Sequence, residues 1–177
     1  MSFSVTHLIG FGVAPAAAGG TVQTLVDRTT GTTIGNMTTY GGLAAAFDGT
    51  TSQAMASSCS INAGDRTTGY VGKDWGSGNT KLISGIRVYG PSDNSIDQLH
   101  SGTSTIELQG STDNFSSSIV SLGSNNFTDG SALVLTYLSG FTVTTAYRYH
   151  RIKVTSSSGS TATDNKSVAE LQFYEEL

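Results

Sequence analysis

Apolar and polar positions alternate with a period of two through much of this chain, the spacing of strands that lie half in a core and half out of it. Thr105-Ile-Glu-Leu-Gln109 places Ile106 and Leu108 on one face and Thr105, Glu107 and Gln109 on the other. Residues 81–89 are rich in β-formers, with Gly85 a candidate bulge. Residues 147–154 and 168–174 read as two further long strands, and 69–72, 119–122, 132–135 and 141–143 as shorter ones. Turn-forming clusters separate them: Pro91-Ser-Asp-Asn94, Ser111-Thr-Asp-Asn114, Asp129-Gly130 and the Ser/Thr run 155–163. Helical periodicity is nearly absent. Many short strands joined by polar, Gly-rich turns predict an all-β fold, an antiparallel β-sandwich.

One stretch breaks the alternation. Leu43-Ala-Ala-Ala-Phe47 is a short helical or irregular apolar run that stops at Asp48-Gly49, a strong turn signal. Asp48, Thr50, Thr51, Ser52 and Gln53 then crowd hard oxygens into six residues, which suits Ca²⁺. One carboxylate is too few for such a site. The best second acid is Glu170, at the start of the closing segment 168–174.

Composition narrows the setting. At 177 residues the chain suits one domain with a real core. Cys59 is the only cysteine, which rules out an intrachain disulfide, a Cys-rich zinc site and a CxxC motif. Charged residues make up 12% and the net charge is −4, so a basic nucleic-acid face is not expected, whereas neutral polar partners such as glycans are. The first twenty residues have an apolar centre, but no Lys or Arg precedes it and Pro15 interrupts it, unlike a secretory signal. That stretch is also too short and Gly-rich to enter a bilayer as a span. Residues 1–40 are therefore expected to attach the domain to a protein partner, with the sandwich occupying 41–177. The HExxH, GxSxG and P-loop motifs are absent, and the run at Gly10 lacks the third glycine of a dinucleotide fingerprint. The expectation is a protein without catalytic activity.

With the strands placed, four pieces in order resemble the F5/8 type C, or discoidin-like, domains of the galactose-binding-like superfamily. They are Ala46-Phe-Asp-Gly49; Val71-Gly-Lys-Asp-Trp-Gly76 leading into Leu82-Ile-Ser-Gly-Ile-Arg-Val-Tyr89; Ile106-Glu-Leu-Gln-Gly-Ser-Thr-Asp113; and Tyr147-Arg-Tyr-His-Arg-Ile-Lys-Val154 with Ala169-Glu-Leu-Gln-Phe-Tyr174. The resemblance implies an eight-stranded jelly roll and a non-catalytic binding module, often for carbohydrate, with a structural Ca²⁺. Asp48 and Glu170 match the acidic metal ligands, and Thr50 and Gln53 fall where further oxygens are supplied. The family often has Asn or Asp at the first of those two places and Thr at the second. Its sugar-binding members use His, Arg, Asn and an aromatic on loops at one end of the sandwich. Here Asp93 and Asn94 occupy the loop where Arg and Asn are often seen, Arg66 offers a guanidinium in place of the missing one, and His100 lies in a polar loop suited to recognition.

Trp75, inside the Asp-x-Gly turn, is expected to pack and not to stack on a sugar. His150 shares a strand face with Ile152 and Val154, and a buried, hydrogen-bonded imidazole or a local bulge is expected there. Tyr147, Tyr149, Arg151 and Lys153 form the other face, either an anionic-glycan surface or an ordinary exposed one. The functional expectation is a module for adhesion to cell-surface polysaccharide, displayed in several copies on a virion or phage-like particle for host attachment. The alternative setting is extracellular, and the alternative function is a structural decoration or assembly protein that binds only protein partners.

Overall fold

The structure is a computed structural model, and it describes residues 23–62, 67–92, 103–128, 136–137, 143–158 and 166–176. Two antiparallel sheets form a sandwich. One has five strands in the order β2 (Thr32–Gly35), β5 (Tyr70–Asp74), β10 (Tyr149–Ser158), β7 (Thr103–Ser111) and β8 (Val120–Thr128). The other has four: β1 (Gln23–Leu25), β12 (Glu170–Glu176), β6 (Ile83–Tyr89) and β9 (Thr136–Tyr137). A small third sheet joins β11 (Lys166–Val168), β4 (Cys59–Ile61) and β3 (Thr39–Tyr40). The expected antiparallel sandwich is present, with short ladders added to the strands that the alternation marks.

The period-two pattern sorts the core as expected. Ile106 and Leu108 from β7, Ile152 and Val154 from β10, and Leu171 and Phe173 from β12 are all buried. Each such side chain contributes about 1.5–3 kcal/mol by leaving water. In β6, Ile83 and Ile86 are three apart, an odd spacing that would put them on opposite faces of a regular strand. The register slips between Tyr174 and Glu175, which face Gly85 and Ile83, and the slip turns both isoleucines inward. The bulge thus falls beside Gly85, where the composition of the strand suggests it.

Other boundaries differ from the sequence reading. The predicted strand 168–174 is two strands broken at Ala169. Tyr147 precedes β10 and forms only an isolated bridge with Lys81. Residues 132–135 and 141–142 lie outside the described residues, and Val143 is buried but not in a strand. The larger difference concerns the first forty residues. β1 and β2 supply an edge strand to each main sheet, Met37 is 1% exposed in the core, and so the sandwich starts well before residue 41. Short edge strands with polar faces carry little periodic signal, which is why this portion looked separate.

The loop at 112–118 is built around one side chain. Asp113 accepts hydrogen bonds from the Ser116, Ser117 and Ser118 backbone N–H groups and from the Ser111, Ser116 and Ser117 hydroxyls. These bonds, led by that from the Ser117 hydroxyl, hold the carboxyl well below the usual range. The loop carries Phe115, at φ 62°, over the Arg151 guanidinium at 3.9 Å from the ring centroid. Asp113→Ala is expected to speed hydrogen exchange at Ser116–Ser118 with little effect on β10. Unchanged exchange at those amides would show that the strand ends alone fix the loop.

Candidate functional site

The loop after Phe47 and the start of β12 meet at Glu170. Residues 43–47 form a single 3₁₀ segment whose Ala45, Ala46 and Phe47 are buried, and Phe47 stacks on Phe173 of β12 with centroids 6.2 Å apart. This packing fixes where the chain turns away at Asp48. Gly49, at φ 88°, takes a conformation that side-chain-bearing residues rarely adopt, and its N–H donates to Glu170 Oε2 at 3.0 Å. Asp48 turns inward on its own loop, where Oδ1 accepts the Thr50 N–H at 2.7 Å. Gln53 reaches back across the junction, and its Nε2 donates both to the Ala45 carbonyl at 2.9 Å and to the Ala169 carbonyl at 2.5 Å.

Glu170 is only 1% exposed. Burial raises its pKa above the usual carboxylate value, the Gly49 N–H opposes this, and the nearby Asp48 charge adds to the rise. Two cations share its field, Arg28 and Lys73. Lys73 is 4% exposed; its ammonium donates to the Arg28 carbonyl at 2.8 Å and lies 4.3 Å from the centroid of the Phe47 ring. Burial lowers its pKa, while Asp27 and Glu170 resist that change. Between these groups lies a cavity of about 180 Å³ lined by Arg28, Phe47, Lys73, Trp75, Glu170 and Phe173. It presents an acceptor and a donor above aromatic walls, a combination suited to hydroxylated molecules.

Of the four residues expected to hold Ca²⁺, Asp48, Gln53 and Glu170 meet at this junction and Thr50 takes part through its backbone N–H, but the arrangement does not fit the ion. Ca²⁺ takes about six to eight oxygens. Here the Ala45 and Ala169 carbonyls face a nitrogen, and Glu170 Oε2 and Asp48 Oδ1 each accept a backbone N–H. Carbonyl oxygens only accept, so the amide atom between them must be the donor Nε2. Among the described residues no group of three or more His, Cys, Asp or Glu converges on a point.

The predicted recognition residues, Arg66, Asp93, Asn94 and His100, lie outside the described residues. The strands that flank them are described. Tyr70 at the start of β5 pairs with Lys153 of β10, and Thr103 at the start of β7 pairs with Ser158 at the end of β10. Because β10 runs antiparallel to both neighbours, the chain enters β5 and β7 and leaves β10 at one end of the five-stranded sheet. In the chain, residues 63–66 precede β5, 93–102 precede β7 and 159–165 follow β10.

Trp75 and His150 take the packing roles expected of them. Trp75 is 4% exposed and His150 0%, and the indole Nε1–H donates to His150 Nδ1 at 2.8 Å. The opposite face of β10 is not an open cationic surface. Arg151 is 8% exposed because Tyr70 and Phe115 cover its guanidinium, and its Nε donates to Gln109 Oε1 at 2.7 Å. Sequence reasoning missed this cover, since Phe115 arrives from a turn 36 residues upstream (151 − 115) and no periodicity connects the two. It also missed Lys73, whose place beside Phe47 depends on how the loop packs across β5.

No protein-family model matches the chain, and no curated protein matches it. Solved structures do. The CBM62 module of Xyl5A from Clostridium thermocellum superposes with a TM-score of 0.54 at 23% identity, covering 83% of this chain and 95% of the module. The F5/8 type C domain of a Bacteroides fragilis protein gives 0.59 at 13% identity, covering 87% and 97%. The chain has the discoidin-like fold. A third discoidin-like structure, the lectin domain of lectinolysin, solved with Lewis B antigen, gives 0.57 at 18% identity over 86% of this chain and 98% of that one. The ordered sequence pieces that suggested a galactose-binding-like sandwich therefore identified the architecture correctly. In this discoidin-like domain the Asp48 loop and Glu170 form a hydrogen-bonded junction between the first third of the chain and its last strand.

Proposed function

We propose that this discoidin-like domain is a non-catalytic carbohydrate-binding module that adheres to cell-surface polysaccharide. What supports the reading is the discoidin-like sandwich, with the segments holding Arg66 and Asp93–His100 preceding β5 and β7 in the chain. Loops on a rigid β-scaffold are where recognition residues concentrate. The likeness to solved carbohydrate-binding modules and a lectin domain supports the same reading. A guanidinium, an amide, a carboxylate and an imidazole offer the donors and acceptors that sugar hydroxyls need.

Single sites of this kind are weak, and display in several copies raises avidity without new contacts. The Ser/Thr/Gly-rich, weakly charged chain suits presentation on a phage-like particle for host attachment, with residues upstream of β1 meeting a protein partner. A glycan array that includes host capsular polysaccharides, probed with a multivalent form of the chain, tests the proposal. Binding lost on Arg66→Ala or Asn94→Ala is the expected result. No binding at all in the multivalent format would sink the glycan reading and leave a protein-binding assembly role.

A further inference from the structure

We propose that the Gln53 side-chain amide does in this protein what a bound cation would otherwise do: it closes the junction between the Asp48 loop and β12, which therefore folds without metal. The inference is independent of what Arg66, Asp93, Asn94 and His100 bind. Gln53 Nε2 sits between the Ala45 and Ala169 carbonyls, one from the 3₁₀ segment and the other from the residue that precedes Glu170. These oxygens are 124 residues apart in sequence (169 − 45) and would repel each other without a positive centre between them. An NH₂ group supplies that centre through its two N–H dipoles and satisfies both acceptors.

The surrounding groups are consistent with a cation-free junction. Glu170 Oε2 already accepts the Gly49 N–H, and Arg28 and Lys73 offset part of the burial that holds its pKa above the ordinary value. Asp48 spends Oδ1 on the Thr50 N–H, so the loop holds its own shape. A second backbone bond, from the Ser92 N–H to the Gln53 carbonyl at 2.9 Å, anchors Gln53 itself. A side chain tied at both ends has little freedom to withdraw in favour of an ion.

The test uses the full chain in thermal melts with millimolar CaCl₂ or EDTA, with calorimetric titration of Ca²⁺ alongside. The unsubstituted protein is expected to show the same Tm in both buffers and no binding heat. Gln53→Glu keeps the length of the side chain but turns an oxygen toward both carbonyls. It is expected to lower Tm in EDTA by on the order of 5 °C, from the loss of both hydrogen bonds. A Tm of the unsubstituted protein that rises with Ca²⁺, as mass action on a native-state site demands, would overturn the proposal. So would a Gln53→Glu melt in EDTA equal to that of the parent. If the variant does not fold, that outcome agrees with the proposal, and the Ca²⁺ titration of the parent still decides against it if heat is seen.

Discussion

Acidification from pH 6.5 to 5 is expected to destabilise this protein before most of its carboxylates begin to titrate. His150 is fully buried among the rings of Trp75, Tyr147 and Phe173, with centroids 6.0–6.3 Å away. Burial pushes its pKa down from the ordinary 6.5 to about 3. The sign follows from linkage. Between those values the unfolded chain binds a proton that the folded chain refuses, so stability falls as pH falls below 6.5 and the loss is complete near pH 3. The slope approaches 1.4 kcal/mol per pH unit, and the whole interval is worth on the order of 5 kcal/mol, a large share of the about 5–15 typical of a domain.

Other groups act elsewhere on the pH axis. Asp74, held low by the paired Arg148 guanidinium, and Asp113, held low by its serines, lose their contribution only as pH falls through and below the ordinary carboxylate range. Glu170, whose pKa is raised, binds its proton more readily in the folded state and opposes the loss below its own pKa. The difference between the parent and a variant without the imidazole isolates the share of His150 just below pH 6.5. Urea unfolding at steps from pH 7 to 5 checks this, with His150→Phe as the control. The variant should lose the slope, and at pH 7 it should be weaker by about 1–3 kcal/mol because the Trp75 N–H loses its acceptor. A parent protein with flat stability over that interval would show that the imidazole protonates within the fold.

Removal of residues 1–40 is expected to abolish folding, although those residues read as an attachment segment. The deletion strips β1 from β12 and β2 from β5, exposing an edge of each main sheet. It removes Met37 from the core, at a cost on the order of 2–5 kcal/mol. It also takes away the Arg28 carbonyl that the buried Lys73 ammonium donates to, worth about 1–3 kcal/mol. Together these losses approach the whole of a domain's stability. The fragment 41–177 should be insoluble or lack a cooperative melt by circular dichroism. A soluble fragment with a sharp transition would restore the view that the sandwich starts at residue 41.

Much of the fold could be read from the chain because two-sided strands impose a period of two on the residues themselves. Ile106 with Leu108 and Ile152 with Val154 identified β7 and β10 with their inward faces, and His150 fell on the correct face by parity alone. The Asp48-Gly49 turn was equally legible, since few residues other than glycine accept the backbone that Gly49 adopts. The pairing of that turn with Glu170 was also available, through the resemblance of ordered motifs. Direction of a hydrogen bond was not. Glutamine carries a donor and an acceptor on one carbon, so residue type left open whether Gln53 offers its oxygen to a cation or its nitrogen to the Ala45 and Ala169 carbonyls.

What the sequence by itself determined is therefore the all-β class, the main strands with their buried faces, and the residues that gather at the Asp48–Glu170 junction. The first two depend on local periodicity and turn chemistry, which each segment carries with it, and the third came from the order of the motifs along the chain. Only the tertiary structure decided that residues 23–40 complete both sheets, that Arg151 lies under Tyr70 and Phe115, and that Gln53 closes the junction with a donor. Each of these depends on which groups from distant segments face one another. Edge pairing, the cover over a charge and the orientation of an amide are set by the partner across the gap, and no pattern within a single segment records that partner.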